Sequence, residues 1–322
     1  MDYQFTISEQ DRTSYKRLDH FLSDKCSDLS RTFIKKLYEN NLINSDHHLE
    51  LKKMPPTGTT IYLDIPEPTP IEALPEDIPL EILFEDDHLI VINKQAGLVV
   101  HPAPGNYTGT LVNALLFHCK DLAGIGGKLR PGIVHRLDKG TTGVMIAAKS
   151  SKAMENLIIT FQKHDIKRQY EALVLGTPVQ QEGKLESTIG RHPKNRKKMA
   201  THSPSGKNAI TFYRLLKNFG NISHLELTLE TGRTHQIRVH LSSLLKIPIL
   251  GDQTYADINK QKQILKNIFP QFLENYSHPL LHAKSLGFAH PITGEQLHFS
   301  TPAPEPFQGI IQFLEDTKND NS

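Results

Sequence analysis

His135-Arg136-Leu137-Asp138 closes an apolar run in PGIVHRLDKGTTGVMIAAK, residues 131–149. A tight Gly140-Thr141-Thr142-Gly143 turn follows, then a second apolar run, Val144-Met145-Ile146-Ala147-Ala148. The pattern predicts strand, loop, strand, with one carboxylate in the loop between Arg136 and Lys139. Such a loop can hold a lone aspartate in a pocket while neighbouring cations keep it ionised. An ionised carboxylate there can attack a carbon or take a proton. In isolation the same tetrapeptide reads as a hairpin whose Asp satisfies local backbone donors. Its weight comes from the segments that accompany it.

TGRTHQIRVHL, residues 231–241, reads as a strand-to-helix junction with Arg233 at the turn and Arg238 one helical turn in. Lys94-Gln95-Ala96-Gly97 ends a strand, and Tyr170 lies within another, RQYEALVL. Residues 187–225 contain eight Lys or Arg, among them Arg191, Arg196, Lys197, Lys198 and Lys207, and no Asp or Glu. A cationic loop of that length is a local phosphate footprint, or a solvated mobile loop. Taken singly, Tyr170 is a core aromatic of a strand and Arg233 a surface cation. His135, His235, His240 and His282 fall into no metal-ligand spacing, and two cysteines are too few for a thiolate site. No metal is expected.

The elements that must position these residues fall into two bodies. Leu18, Phe21 and Leu22 share one helical face, with Arg17, Asp19 and Lys25 off it. Ser30 is the predicted N-cap of a second helix, with Phe33, Ile34 and Leu37 inward and Arg31, Lys35 and Lys36 outward. A strand is expected over residues 59–63. These form a small domain over residues 14–66. Residues 67–79, rich in proline and acid, read as an extended linker. From residue 80 to 305 strands and helices alternate irregularly, and 306–322 form a C-terminal helix and tail. Strands are expected at 81–85, 89–93, 168–175 and 224–230. Helices are expected after Ser151 and after Thr234, the latter burying Ile237, Leu241, Leu244 and Leu245. The fold class is α+β: a central, mainly antiparallel mixed sheet flanked by helices, plus the small N-terminal domain.

Composition narrows the function classes. The net charge of +2 over 322 residues gives no global argument for nucleic acid, so any electrostatic footprint is local. The N-terminus lacks a basic stretch followed by an apolar core, and no apolar run approaches the roughly 20 residues a membrane helix needs. A reducing cytoplasm and no membrane partner are the expectation.

The large domain resembles the RluA family of pseudouridine synthases, and within it the RluD-like branch that acts on large-subunit ribosomal RNA. The likeness is carried by EDDHLIVINKQAGLVVHPAPGN, IVHRLDKGTTGVMIAAK, IKRQYEALVLG, GRHPKNRKKMA, TGRTHQIRVHL with PILGDQTY, and LHAKSLGFAHPITGE, in order, over most of residues 80–305. Residues 14–66 resemble the S4 RNA-binding module through RLDHFL, SRTFIKKLYENNLI and TGTTIYLDI. Its usual glycine before the hairpin strand is Asn40 or Asn41 here.

The resemblance implies roles. Asp138 matches the family's essential aspartate, Tyr170 the tyrosine that stacks on the target base, and Arg233 the cation that pairs with the aspartate. Arg136 matches the arginine inserted where the base has left the helix. Phosphate contacts are expected from Lys139, Arg31, Lys35, Lys36, Arg191, Arg196, Lys197, Lys198, Lys207 and Arg238. The reaction cleaves N1–C1′, turns the base and joins C5 to C1′, with Asp138 attacking C1′ or removing a proton from C2′. It requires no cofactor. The expected partner is large-subunit ribosomal RNA, within a pre-ribosomal particle, met by a monomer. Other readings are a synthase for different rRNA or tRNA positions, an assembly factor without catalysis, and a glycosidase. The last needs a second carboxylate, which these motifs lack.

Overall fold

The computed structural model describes residues 2–26, 29–65, 73–103, 105–122, 125, 131–195, 197–266 and 278–319. The chain divides into two compact units, Met1–Pro70 and Ile71–Ser322.

The N-terminal unit runs β1 (Asp2–Thr6), α1 (Glu9–Ser14), α2 (Leu18–Lys25), α3 (Arg31–Glu39), β2 (Ile43–Ser45) and β3 (Thr60–Asp64). The three strands form an antiparallel sheet in the order β1-β3-β2. Leu18, Phe21, Leu22, Ile34, Leu37, Ile61 and Leu63 close its core. Ser30 caps α3, accepting from Phe33 N at 3.2 Å. Two expectations change. β1 and α1 precede residue 14 and belong to the same body, because β1 supplies the edge against β3. Phe33, expected inward, is exposed, since the narrow inner stripe of α3 is filled by Ile34 and Leu37. Asn41 takes the left-handed conformation (φ 56°) at the bend where the S4-like pattern has glycine.

The second unit is built on a ten-stranded sheet: β4 (Glu81–Glu85), β5 (Leu89–Lys94), β6 (Thr142–Ala148), β7 (Lys167–Leu175), β8 (Glu182–Arg191), β9 (Met199–Thr201), β10 (Lys207–Asn218), β11 (Ile222–Leu229), β12 (Leu281–Ala289) and β13 (Gln296–Ser300). The order is β4-β5-β6-β12-β7-β11-β10-β8-β9, with β13 on β12. All named pairings are antiparallel except β6 with β12. Between the strands lie α4 (Leu111–His118), α5 (Ser151–Gln162), α6 (Gln236–Ser243) and α7 (Ile258–Lys266), and α8 (Phe307–Asn319) follows.

Alternation along the strands splits the core between two faces. Ile90, Ile92, Met145, Tyr170, Ala172 and Val174 meet α4 and α6. Leu89, Val91, Val144 and Ile146 meet Ala153 and Leu157 of α5. The unbroken apolar run of β6 is the signature of a strand buried on both sides, and every residue of β6 is buried. Leu173 and Leu175 face Phe307, Ile310 and Leu314, so α8 is part of this unit's core.

The proline-rich stretch is shorter as a spacer than expected. Residues 66–72 lie outside the described residues, but Leu74 and Glu76 are already docked on the large unit. Asn113 Nδ2 donates to Leu74 O at 2.7 Å, and the Glu76 carboxylate accepts from Gly109 N at 3.1 Å. The cationic stretch 187–225 is mostly strand, from β8 to β11, broken by the β8–β9 turn and by residues 202–206 and 219–221.

Candidate active site

Asp138 sits in the connection that enters β6. The expected strand before it does not form: Ile133 makes a lone bridge to Ala147, and residues 134–138 are irregular. Gly132 turns the chain with φ +71°, and a Cβ there would lie 2.3 Å from Ala148 O, so only glycine lets this segment lie against β6. Past Asp138 the turn closes through Thr141 N donating to Asp138 O at 3.0 Å.

The buried ammonium of Lys94, at the end of β5, pins the same loop. It donates to Gln95 O and Leu98 O, each at 2.9 Å, and to Lys139 O at 3.3 Å. Gly97 N also donates to Lys139 O, at 2.9 Å. Burial pushes Lys94 down to about 7, against the pull of the Asp138 charge. The Lys-Gln-Ala-Gly segment is thus the clamp on the backbone beside the carboxylate.

Arg238, not Arg233, is the partner of Asp138. Its Nη1 donates to Asp138 Oδ2 at 3.0 Å. Its other edge grips Asp252, Nε to Oδ2 at 2.7 Å and Nη2 to Oδ1 at 2.9 Å. The ring of Tyr255 lies 5.2 Å from the guanidinium carbon. Burial opposes the charge on Arg238, but the hydrogen bonds and charge of Asp252, with Asp138 behind them, hold its pKa above the ordinary value. The phosphate contact expected of Arg238 is therefore corrected: its side chain is 9% exposed and its donors face two carboxylates. Arg233 lines the same cavity, but its Nε is spent on Asn208 O at 3.0 Å. The local reason is the start of α6. His235, in the left-handed region (φ 56°) and making no side-chain cap, is its N-cap in place of Thr234. Gln236 ties the junction, its Oε1 accepting from Arg233 N at 3.0 Å and from Thr231 Oγ1 at 2.7 Å. That register aims Arg238 inward.

His235 completes the surroundings of the carboxylate. Its Nε2 is 3.9 Å from Asp138 Oδ2, and its Nδ1 is 2.9 Å from the Tyr255 hydroxyl. That hydroxyl accepts from Met199 N at 2.7 Å, so its own proton is free to go to Nδ1. The tautomer assigned from this chain carries its proton on Nε2, facing Asp138. Burial lowers the pKa of His235, with the Asp138 charge opposing, which favours this neutral form.

A cavity of about 560 Å³ opens over Asp138. Tyr170, projecting from β7, lines it with Leu229, Ile237 and Leu281. Burial pushes the Tyr170 phenol up to about 12; the Arg168 charge opposes this and the Asp138 charge adds to it. The hydroxyl stays protonated at neutral pH. It can donate a proton or a hydrogen bond but is a weak base. His135 and Phe161 stack at the opposite wall, ring centroids 4.7 Å apart. His135 Nε2 accepts from Ile146 N at 3.1 Å, and burial, with the Arg168 charge, pushes its pKa down to about 3. Arg136 is exposed and also lines the cavity.

The remaining expected RNA contacts are dispersed. Lys139 is exposed, its Nζ 3.4 Å from Asn106 Oδ1. Arg191, Lys197 and Lys207 are exposed at the ends and turns of β8 to β10, Lys198 lies 5.8 Å over the Tyr255 ring, and Arg196 lies outside the described residues. In the N-terminal unit Lys35 pairs with Glu39 at 3.3 Å and Lys36 is exposed. Arg31 is held at 2.8 Å by Asp19, which Arg17 also holds. Asp19, expected off the buried face, is itself buried because these two guanidinium groups neutralise it. Asp252 and Lys94 were not among the expected site residues. Elsewhere Glu85, His118 and Cys119 bring ligand-type atoms within 4.8 Å of one another. The Lys149 ammonium lies 2.6 Å from that Glu85 carboxylate.

Comparison with known proteins finds relatives over most of the chain. Residues 88–243 match the family described as RNA pseudouridylate synthase. An uncharacterized RNA pseudouridine synthase of Synechocystis is 44% identical over 306 residues, covering 92% of this chain and 89% of that protein. Ribosomal large subunit pseudouridine synthase D of Zymomonas mobilis is 43% identical over 307 residues, covering 92% and 93%. The solved structure of human RNA pseudouridylate synthase domain containing 4 superposes with a TM-score of 0.58 at 30% identity, covering 73% of this chain and 93% of the human one. No helix among the described residues is long and apolar enough to cross a membrane. The chain belongs to the RNA pseudouridylate synthase family, the enzymes that isomerise uridine to pseudouridine.

Proposed function

We propose that this chain modifies specific uridines of large-subunit ribosomal RNA, with Asp138 acting on the ribose, Tyr170 as the platform for the freed base and Arg238 as the cation that holds Asp138. One observation carries the reading. Among the described residues Asp138 is the single carboxylate lining the cavity, and it keeps 16% of its side chain exposed while Arg238 keeps 9% and Asp252 none. The pair behind it is sealed, and the carboxylate looks out.

The chemistry balances without an external reagent. N1–C1′ breaks, the base turns, C5–C1′ forms, the C5 proton leaves and N1 gains one. Attack on C1′ and proton removal from C2′ are both open to the Asp138 carboxylate. A buried carboxylate stripped of its cation would be unfavourable by several kcal/mol, so Arg238 is required before any substrate arrives. The target base must leave its stack, at a cost of a few kcal/mol. Arg136, exposed at the cavity, is the side chain proposed to fill the vacated place. Lys35 and Lys36 of the S4-like unit, with Arg191, Lys197 and Lys207, are proposed to meet phosphates, so that target choice follows RNA shape. The large-subunit target is supported by the name of the Zymomonas relative.

The test is tritium release from large-subunit rRNA carrying C5-labelled uridine, followed by mapping of pseudouridine in rRNA from cells with and without the protein. Release from rRNA and loss of named sites in the deleted cells are expected. Absence of release from any RNA would leave an RNA-binding assembly factor, and release from tRNA alone would move the target.

A further inference from the structure

The cavity has a second charged wall that the isomerisation does not use. Arg168, two residues before Tyr170 on β7, is 7% exposed. One nitrogen, Nη2, donates to Glu230 O at 2.8 Å and reaches Leu229 O at 3.5 Å. Its Nε is buried and has no hydrogen-bond partner. The guanidinium stands 5.7 Å from the centre of the Phe161 ring. No carboxylate among the described residues pairs with Arg168 or with Arg233, and both line the cavity. Asp138 is committed to Arg238.

A buried cation facing a second cation, with donors to spare, is unfavourable unless an anion joins them. Gly232 lets the guanidinium lie against the main chain at the cavity wall: a Cβ there would fall 2.7 Å from Arg168 Nη1. Arg168, Tyr170 and Asp138 line one cavity. Guanidinium groups match phosphate oxygens in geometry and charge.

We propose that Arg168, seconded by Arg233, is a phosphate subsite of the active cavity and holds a phosphate next to the flipped uridine while Tyr170 and Asp138 engage the base and sugar. The proposal rests on the uridine-binding reading of the cavity and adds what fixes the nucleotide's backbone within it. Arg168 is a positioning residue: it anchors the nucleotide and leaves bond-making to Asp138.

The experiment is equilibrium titration of the full chain with uridine, uridine 5′-monophosphate and uridine 3′-monophosphate, with the arginine Nε–H signals followed by NMR. At least one monophosphate should bind about tenfold or more tightly than uridine, and the Arg168 Nε–H should shift with that ligand and not with uridine. Arg168→Gln should lose the preference yet bind uridine as before, and Arg168→Lys should keep part of it. A wild-type protein that binds neither monophosphate better than uridine overturns the subsite, as does a preference left intact in Arg168→Gln. Should Arg168→Gln fail to fold, the wild-type ratio and the Nε–H signal decide alone. No turnover is needed. Phosphate preference without pseudouridine formation would count against the isomerase reading only, and turnover without phosphate preference against Arg168 only.

Discussion

Arg238 and Asp252 form a two-pronged ion pair, 2.7 and 2.9 Å, in a place where Asp252 has no exposed surface. The remaining guanidinium nitrogen of Arg238 reaches Asp138. Asp252 therefore sets the angle at which the cation meets the Asp138 carboxylate, and two backbone N–H groups, of Thr254 and Tyr255, lock it in turn. Removing one member of a buried pair costs about 3–5 kcal/mol, because the other is left uncompensated. Asp252→Asn and Arg238→Met are each expected to destabilise by that order in chemical denaturation. The double variant should lose clearly less than the sum. Additive losses would show that the two do not act as a unit.

Asp138→Asn preserves the shape of the carboxylate and removes its charge. Turnover should fall by more than ~10⁴-fold, the scale seen when a reacting side chain is lost, while RNA affinity stays within a few-fold of wild type. Single-turnover assays and a binding titration on one RNA separate the two. Retained activity would remove Asp138 from the mechanism.

Much of the fold and of this site was legible because the signals are local. The apolar run of β6, the cap at Ser30 and the loop holding Asp138 each lie within a dozen residues. The identity of the cation did not. Arg233 and Arg238 are five apart in one motif, and which of them turns inward depends on where α6 begins. His235 in a left-handed conformation decides that, and nothing in a Thr-His-Gln sequence announces it. Asp252 was hidden by its setting: an aspartate after glycine reads as a turn residue, and its hydrogen bonds to Thr254 and Tyr255 are those of a turn. Both of its oxygens also accept from Arg238, Oδ2 from Nε and Oδ1 from Nη2. The strand expected before the Asp138 loop failed because Gly132 turns and a single bridge is all that β6 can offer there.

Gly143 tests the β6–β12 contact that carries the loop. It holds φ +109°, and a Cβ would fall 2.2 Å from Ala283 O on the neighbouring strand. Backbone strain and overpacking together should make Gly143→Ala destabilising by about 2–5 kcal/mol, read as a lowered denaturation midpoint. A variant within about 0.5 kcal/mol of wild type would mean the two strands can part without loss.

The N-terminal unit offers a pH test. Hydrogen bonds from Arg17, opposed by burial and helped by Arg31, hold the Asp19 carboxyl below its ordinary 3.8. A carboxylate whose pKa is lowered on folding contributes stability above its unfolded value and loses it as pH falls towards the folded one. Because both arginines are half-exposed, Asp19→Asn should cost about 1–2 kcal/mol at neutral pH, and the gap should begin to narrow below about pH 4 and shrink further as pH falls. Hydrogen exchange of the α2 and α3 amides in the full chain reads this directly. A gap that does not narrow at all between about pH 4 and about pH 2 would assign the effect to packing.

The basic turns of the β8–β10 region bear on how RNA is held. Arg191, Lys197 and Lys207 are exposed there, and the main chain of the same β8–β9 hairpin reaches the site, since Met199 N donates to the Tyr255 hydroxyl that faces His235. If these three cations sit on phosphates, each releases roughly one counterion on binding, and the slope of log affinity against log salt flattens by about 0.7–0.9 for each charge removed. A triple substitution to Gln should therefore flatten the slope by about 2–3 and weaken binding at low salt. Turnover at saturating RNA should change little, because none of the three lines the cavity. An unchanged slope would take this hairpin off the RNA. A flattened slope accompanied by lost saturating turnover would instead mean that the hairpin, through Met199 and Tyr255, helps to set His235 against Asp138.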